Sequence, residues 1–304
     1  MQAYILGLVR KLRARARCRR LLDRVGAGAV PVPIALMRLA CETADGTEMD
    51  RLIRAALGSS PAGSAAHARL LDLEVLCRSH PEAHAIVRQI DPGHRPRPEA
   101  VTEIDYWAAE YDRCVAVSPE ASVALYSFGD PRLLQRITGE LVDGLVRWAV
   151  LGPRARVLDY GCGIGRVTAA LAQHVDQVVG VDISAGMLRE AGARLLGLSN
   201  VQLMSTAAFG ERGETDRFDL ILAIDVLPYV ADPTSLLADL ARRLSPGGSL
   251  IAMNWSGDRS PADQRAAAEA FARRQGLALV RNGTAEFSLW DGSVFQFKSP
   301  SPPS

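Results

Sequence analysis

Between Arg156 and Trp255 the chain carries five short apolar runs, "RVLDY", "QVVGVDI", "NVQLM", "FDLILAI" and "SLIAMNW". They are rich in β-branched residues and too uniformly apolar for strands with one face in water, which is how parallel strands covered on both faces read. Parallel neighbours require long crossovers, and the segments between the runs are helical in pattern. Ser184 stands where a helix cap belongs after the second run, and Asp232-Pro233 opens a helix carrying Leu236, Leu237, Leu240 and Leu244. Further on, "AEFSLW" and "SVFQFK" flank Asp291-Gly292, a two-residue hairpin signal. The expected architecture is α/β: a doubly wound, mostly parallel seven-stranded sheet with a C-terminal antiparallel hairpin.

The sequence before this core is organised differently. Residues 1–98 read as a helical extension, interrupted by "GSSPAGSAA" and bounded by the proline-rich "DPGHRPRPEA". Residues 99–152 form a helical lid or connector dense in aromatics, among them Tyr106, Trp107, Tyr111 and Tyr126. Within it Asp130 caps a helix with Pro131 in its first turn. The core is placed at 153–298, and "SPSPPS" at 299–304 reads as a disordered tail. His80 and His84 in "HPEAH" are spaced for one helix face, but Pro81 stands where a zinc protease needs its glutamate. A helix start capped by Ser79 or His80 is the better account, and no metal site is expected.

Charge excludes some functions. With 35 basic and 34 acidic residues, the net charge is +1, so no overall field draws the molecule to nucleic acid. The first 24 residues nevertheless hold eight basic side chains against the single acid Asp23. Ile5, Leu8, Val9, Leu12 and Ala16 fall at helical spacing there, which gives a packing face with the arginines in solvent. No run approaches a membrane span, and no signal peptide is apparent. Five scattered cysteines, never spaced C-x-x-C, suggest reduced thiols in a cytoplasm.

The functional question centres on "VLDYGCGIGRVTAALA", residues 157–172. Glycines at a strand–turn–helix junction sit at the carboxyl edge of such a sheet, where cofactors bind. A dinucleotide loop needs Gly-x-Gly-x-x-Gly; Gly161 and Gly163 comply, but the third position holds Arg166 and the next glycine is Gly165. Asp159 also opposes a pyrophosphate. At about 5 Å and an effective dielectric of about 20, a carboxylate costs on the order of 3 kcal/mol against each phosphate charge and attracts an ammonium or sulfonium by as much. Asp182 follows Gly161 at the spacing that lets an acid reach a ribose diol. A ribose ligand with a cationic amino-acid end is S-adenosylmethionine.

"VLDYGCGIG", "VVGVDIS", "FDLILAIDVL" and "LSPGGSLI" resemble, in order, the motifs of class I S-adenosylmethionine-dependent methyltransferases. The resemblance runs from about 155 to 298 and implies a Rossmann-like fold. It also implies that Asp159, Tyr160, Gly161, Gly163 and Gly165 surround the methionine part. By the same resemblance Asp182 binds the ribose, Ile183 and Met187 pack on the adenine, and Asp225 lies beside the methyl donor. One departure concerns the adenine amino group. The family places an acid there, whereas this chain has Thr206 and Ala207.

Methyl transfer needs above all a well-placed acceptor. Asp225 and Tyr229 in "DVLPY" are the catalytic candidates, each placed to act as a general base; their alternative roles are cofactor binding or capping for Asp225 and packing under a loop for Tyr229. "DVLPY" lacks the Asn/Asp-Pro-Pro-Tyr pattern of base methylation, so the expected acceptor is a small molecule. The four aromatics before the core are candidates to cover it. The N-terminal helices suit either a homodimer contact or further substrate cover. A catalytically silent cofactor-binding protein of the same fold is the alternative, followed by an NAD(P)-dependent oxidoreductase.

Overall fold

The computed structural model describes residues 2–90, 96–213, 215–255, 260–284 and 287–301. The chain divides into two compact units. One comprises Met1–Asp91, Glu120–Leu134 and Ser288–Asp291; the other comprises Pro92–Pro119, Gln135–Phe287 and Gly292–Ser304.

The first unit is helical: α1 (Gln2–Gly26), α2 (Val32–Glu42), α3 (Gly46–Ser59), α4 (Ala65–Ser79) and α5 (Ala83–Ile90). Val25, Leu36, Leu39, Ile53 and Leu73 are fully buried in its core. The buried face of α1 is Cys18, Leu21, Leu22 and Val25. This corrects the face expected from spacing: Leu12 is 57% exposed and Ala16 is exposed, while the side chains of Ile5, Leu8 and Val9 lie outside the described residues. Helix α1 packs against α2, α3 and α4. Its arginines from Arg13 onward are solvated as expected, with Arg17 forked onto Glu42 at 2.7 and 2.6 Å. The helix expected at Pro81 begins instead at Ala83, because His80 terminates α4 and turns its Nε2 to the Asp130 carboxylate, 3.2 Å away.

In the second unit α6 (Glu103–Val117) is capped by Thr102, whose hydroxyl accepts the Asp105 N–H. Pro119–Val123 forms a short α7, whose residues from Glu120 on belong to the first unit together with the first turn of α8 (Pro131–Arg147). Helix α8 starts at Asp130 as anticipated, with that carboxylate accepting the Arg132 N–H. The sheet then follows: β1 (Arg156–Tyr160), α9 (Arg166–Leu171), β2 (Gln177–Asp182), α10 (Ala185–Arg194), β3 (Val201–Ser205), α11 (Thr206–Glu211), β4 (Phe218–Ile224), α12 (Pro233–Ala241), β5 (Leu244–Met253), α13 (Pro261–Gln275), β6 (Ala278–Thr284) and β7 (Ser293–Lys298). The strand order is β3-β2-β1-β4-β5-β7-β6, with β7 antiparallel to both neighbours and the first five strands parallel. This is the expected Rossmann-like sheet with its C-terminal antiparallel hairpin. The chain leaves β1 toward β2 and β3, then returns to β4 on the other side. The switch point therefore lies at the carboxyl ends of β1 and β4.

Two strand readings change. The edge strand β3 is not buried on both faces: Gln202 is exposed and the rest half-buried. The hairpin pairs β7 with β6, Thr284 opposite Ser293. Of the expected strand "AEFSLW", Phe287–Trp290 form no strand, and Ala285 and Glu286 lie outside the described residues. Ser288–Asp291 belongs to the helical unit, where Asp291 takes both guanidinium nitrogens of Arg38 at 3.1 and 3.0 Å. That ion pair and the burial of Trp290 occupy the segment that the pattern assigned to a strand.

One sheet face is sealed by α13. Phe271 stacks edge-on against Phe297 at 5.0 Å and against Trp255 at 5.8 Å, all fully or almost fully buried. Phe271→Ala leaves a cavity in this cluster and is expected to lower unfolding stability by about 3–5 kcal/mol, read from the urea midpoint.

Candidate active site

The loop after β1 turns through three left-handed glycines, with φ of 78° at Gly161, 54° at Gly163 and 71° at Gly165. Gly161 also admits no side chain, since a Cβ there would lie 2.1 Å from Val226 Cγ2. The loop is pinned to β2, because Gly161 and Cys162 both donate to the Val181 carbonyl at 2.7 and 3.0 Å. The turn is thus accounted for by the chain's own packing, and the signal for a ligand comes from the carboxylates around it.

Asp182 ends β2. Its Oδ2 accepts the Gly163 N–H at 2.8 Å and its Oδ1 the Ser184 N–H at 2.9 Å. One side chain therefore joins the loop after β1 to the loop after β2. Burial raises its pKa, and the amides of Ser184 and Gly163 oppose that shift. Asp159, inside β1, is 2% exposed. Its carboxylate does not stand open at the crevice; it accepts the Thr168 hydroxyl of α9 at 2.6 Å. Burial pushes its pKa to about 6, against the opposing Thr168 hydrogen bond and the charge of Arg166. The neighbouring Cys162 thiol is held well above its ordinary range by burial.

On the other side of β1 lies the end of β4. Asp225 is half-buried and left-handed, with φ 54°. Asn254, just after β5, is left-handed too, with φ 55°, and its Nδ2 donates to Asp225 Oδ1 at 2.5 Å. Burial raises the Asp225 pKa, opposed by Asn254 and Arg166. Non-glycine residues in this region cost on the order of 1–3 kcal/mol each and concentrate at functional sites. Four residues on, Tyr229 meets helix α6. Its ring is 4.8 Å from Trp107 and 5.4 Å from Tyr111, both edge-on. The Tyr111 pKa is raised well above the ordinary phenol value, first by burial and then by Tyr229, to which it is hydrogen-bonded, with Asp225 contributing.

The remaining candidates are distributed as follows. Tyr160 packs on Phe209 at 6.2 Å. Ile183 is half-buried, and Met187 is 2% exposed within α10. Thr206 and Ala207 open α11, next to Ser205, which lies opposite Asp182 in the β2–β3 register. Tyr106 is buried beside Trp107, with the rings 4.9 Å apart. Tyr126 is buried in the helical unit, in the turn Leu125–Ser127. Sequence reasoning missed three polar residues at this edge: Thr168, Asn254 and Asp112, the last discussed below. Asn254 had a signal, since asparagine after a strand tolerates the left-handed region. Asp112 had none. Among the described residues, no cluster of His, Cys, Asp and Glu could hold a metal, and no helix is long and apolar enough to cross a membrane.

The fold is a Rossmann-like α/β sheet, with Asp159, Asp182 and Asp225 at or near the carboxyl ends of β1, β2 and β4. A family described as a methyltransferase domain matches residues 132–287, just over half of the chain. The chain belongs to the class I S-adenosylmethionine-dependent methyltransferase family, whose cofactor is S-adenosylmethionine. A ubiquinone biosynthesis O-methyltransferase of Pasteurella multocida is 33% identical over 107 residues, which cover 32% of this chain and 44% of that one. A trans-aconitate 2-methyltransferase of Methylobacterium nodulans is 35% identical over 161 residues, 51% of this chain and 60% of that one. The chain thus spans about half the length of these curated relatives. The solved magnesium protoporphyrin IX methyltransferase of Synechocystis PCC 6803, with bound S-adenosylmethionine, shares the fold with a TM-score of 0.51 at 20% identity. That likeness covers 67% of this chain and 100% of the other.

Asp159 ties stability to pH. With its folded pKa raised to about 6 from 3.8, the folded protein holds a proton that the unfolded chain releases, so this contribution is present below about pH 4 and is lost as pH rises toward 6. Asp159→Asn keeps an acceptor for Thr168 without the buried charge. It is expected to stabilise the fold at pH 7, by on the order of 2–3 kcal/mol, and to flatten the decline between pH 4 and 6 in thermal unfolding.

Proposed function

We propose that this chain transfers a methyl group from S-adenosylmethionine to a small-molecule acceptor at the crevice between the ends of β1, β2 and β4. The observation that carries the reading is the set of three carboxylates there, Asp159, Asp182 and Asp225, all with pKa raised by burial. Perturbed acids gathered at one cleft mark functional sites. Their chemistry fits the cofactor. Asp182, oriented by two amides, presents the remaining lone pairs of its oxygens to a ribose diol, and the negative edge attracts an ammonium and a sulfonium. Gly161, Gly163 and Gly165, with Tyr160, would border the methionine part. Ile183 and Met187 would pack on the adenine, with Thr206 or the backbone at Ala207 taking its amino group.

Bound S-adenosylmethionine supplies a methyl on positively charged sulfur, activated for in-line displacement. The chain's part is to hold the acceptor and accept its proton. Asp225, its pKa raised by burial, is a stronger base than an ordinary carboxylate, and Asn254 fixes one of its oxygens. Tyr229 and Tyr111 extend the polar path, while Trp107 and Tyr106 give a planar acceptor an aromatic wall. The two curated relatives are named for ubiquinone biosynthesis and trans-aconitate, which supports a small molecule over a macromolecule.

The demethylated product S-adenosylhomocysteine, at a hundred times its dissociation constant, should stabilise the protein by about 2.7 kcal/mol in thermal unfolding. Asp182→Ala should abolish that shift, and it should also lower the ligand-free stability, because the Gly163 and Ser184 amides lose their acceptor. An undiminished shift would refute the ribose assignment. With an acceptor found by screening metabolites for S-adenosylhomocysteine release, Asp225→Asn should lower kcat by about 10²–10⁴-fold. The accompanying change in product affinity should be much smaller. Equal losses in both would make Asp225 a cofactor ligand and not the base.

A further inference from the structure

Two neighbouring residues of α6 reach opposite sides of the glycine loop. Tyr111 meets Tyr229 in the loop after β4. Asp112 meets the start of α10, after β2: its Oδ1 accepts the Ser184 hydroxyl at 2.5 Å and the Gly186 N–H at 2.7 Å. Because β2 and β4 flank β1 in the sheet, the helix bridges both walls of the crevice.

The contact at α10 is closer than packing alone would make it. A Cβ on Gly186 would lie 2.9 Å from Asp112 Oδ1 and 2.9 Å from Val115 Cγ1. Nor is Asp112 there to cap an otherwise open helix, since Ser184 Oγ already accepts the Met187 N–H at 3.0 Å. What Asp112 adds is a link. Ser184 donates its hydroxyl to Asp112 and its amide to Asp182, which also holds Gly163. A continuous hydrogen-bonded chain therefore runs from the helix with the aromatic side chains, through Ser184 and Asp182, to the glycine loop.

We propose that Asp112 is a positioning residue: it latches α6 onto the start of α10 and, through Ser184, couples the aromatic acceptor wall to the carboxylate that holds the cofactor's ribose. The coupling rests on the assignment of Asp182 given above. Two charge-assisted bonds from one carboxylate are strong enough for such a latch.

The test compares the full-length wild type with Asp112→Ala and Asp112→Asn by hydrogen–deuterium exchange, alone and with S-adenosylhomocysteine. In Asp112→Ala, amides of Glu103–Val117 should exchange about tenfold faster, and ligand should no longer protect them. The acceptor KM should rise more than kcat falls, and Asp112→Asn, which keeps an acceptor oxygen, should recover most of the protection. Gly186→Ala, which crowds the same contact from the other side, should reproduce the loss, and it serves if Asp112→Ala does not fold. Product that binds normally while exchange in α6 is unchanged by Asp112→Ala overturns the latch alone. Exchange that rises equally in β1 and β4 overturns it as well, showing a general loss of stability. Wild type that does not bind S-adenosylhomocysteine overturns the cofactor reading and the coupling with it.

Discussion

The carboxylate of Asp182 accepts a backbone N–H from each of two loops, Gly163 after β1 and Ser184 after β2. Those loops leave adjacent parallel strands whose next elements run to different helices, and without a shared anchor each would set its own conformation. Both oxygens of Asp182 are engaged, so its plane is set and its remaining lone pairs face a defined direction. The left-handed glycine turn, the Ser184 cap on α10 and the placement of α6 all refer to this one group.

Concentrating buried carboxylates at one edge works against stability. Burial disfavours the charge of Asp159, Asp182 and Asp225 and raises the pKa of each. The fold offsets this locally, with a hydroxyl for Asp159, two amides for Asp182 and an amide side chain for Asp225. Thr168 and Asn254 therefore belong to the site although neither need touch a ligand. A cationic ligand would complete what these partners begin, since it favours the charged form of every acid in the set.

The end of β4 stores a different kind of strain. Asp225 and Asn254 both adopt left-handed backbone conformations and are joined side chain to side chain. Asn254 is held in turn by Ser293, which donates its N–H to Oδ1 at 3.2 Å and accepts the Asn254 N–H at 2.9 Å. The antiparallel strand β7 is thus more than a cover for the sheet edge. Its first residue supports the side chain that orients the candidate base.

Local pattern determined a good deal. The five parallel strands, the caps at Asp130, Ser184 and Asp232, the glycine loop and the acids Asp159, Asp182 and Asp225 are legible because each depends on residues a few positions apart. Only tertiary structure decided that Thr168 would take the Asp159 carboxylate, that Asn254 would hold Asp225, and that Asp112 would reach Ser184, 72 residues along the chain. It also decided that β6 pairs with β7, and that β3 lies at a wet edge. Periodicity states which face of an element is apolar. It carries no information about which distant element will supply the partner, because that is set by how the strands are ordered and by which side chains the packing leaves within hydrogen-bonding reach.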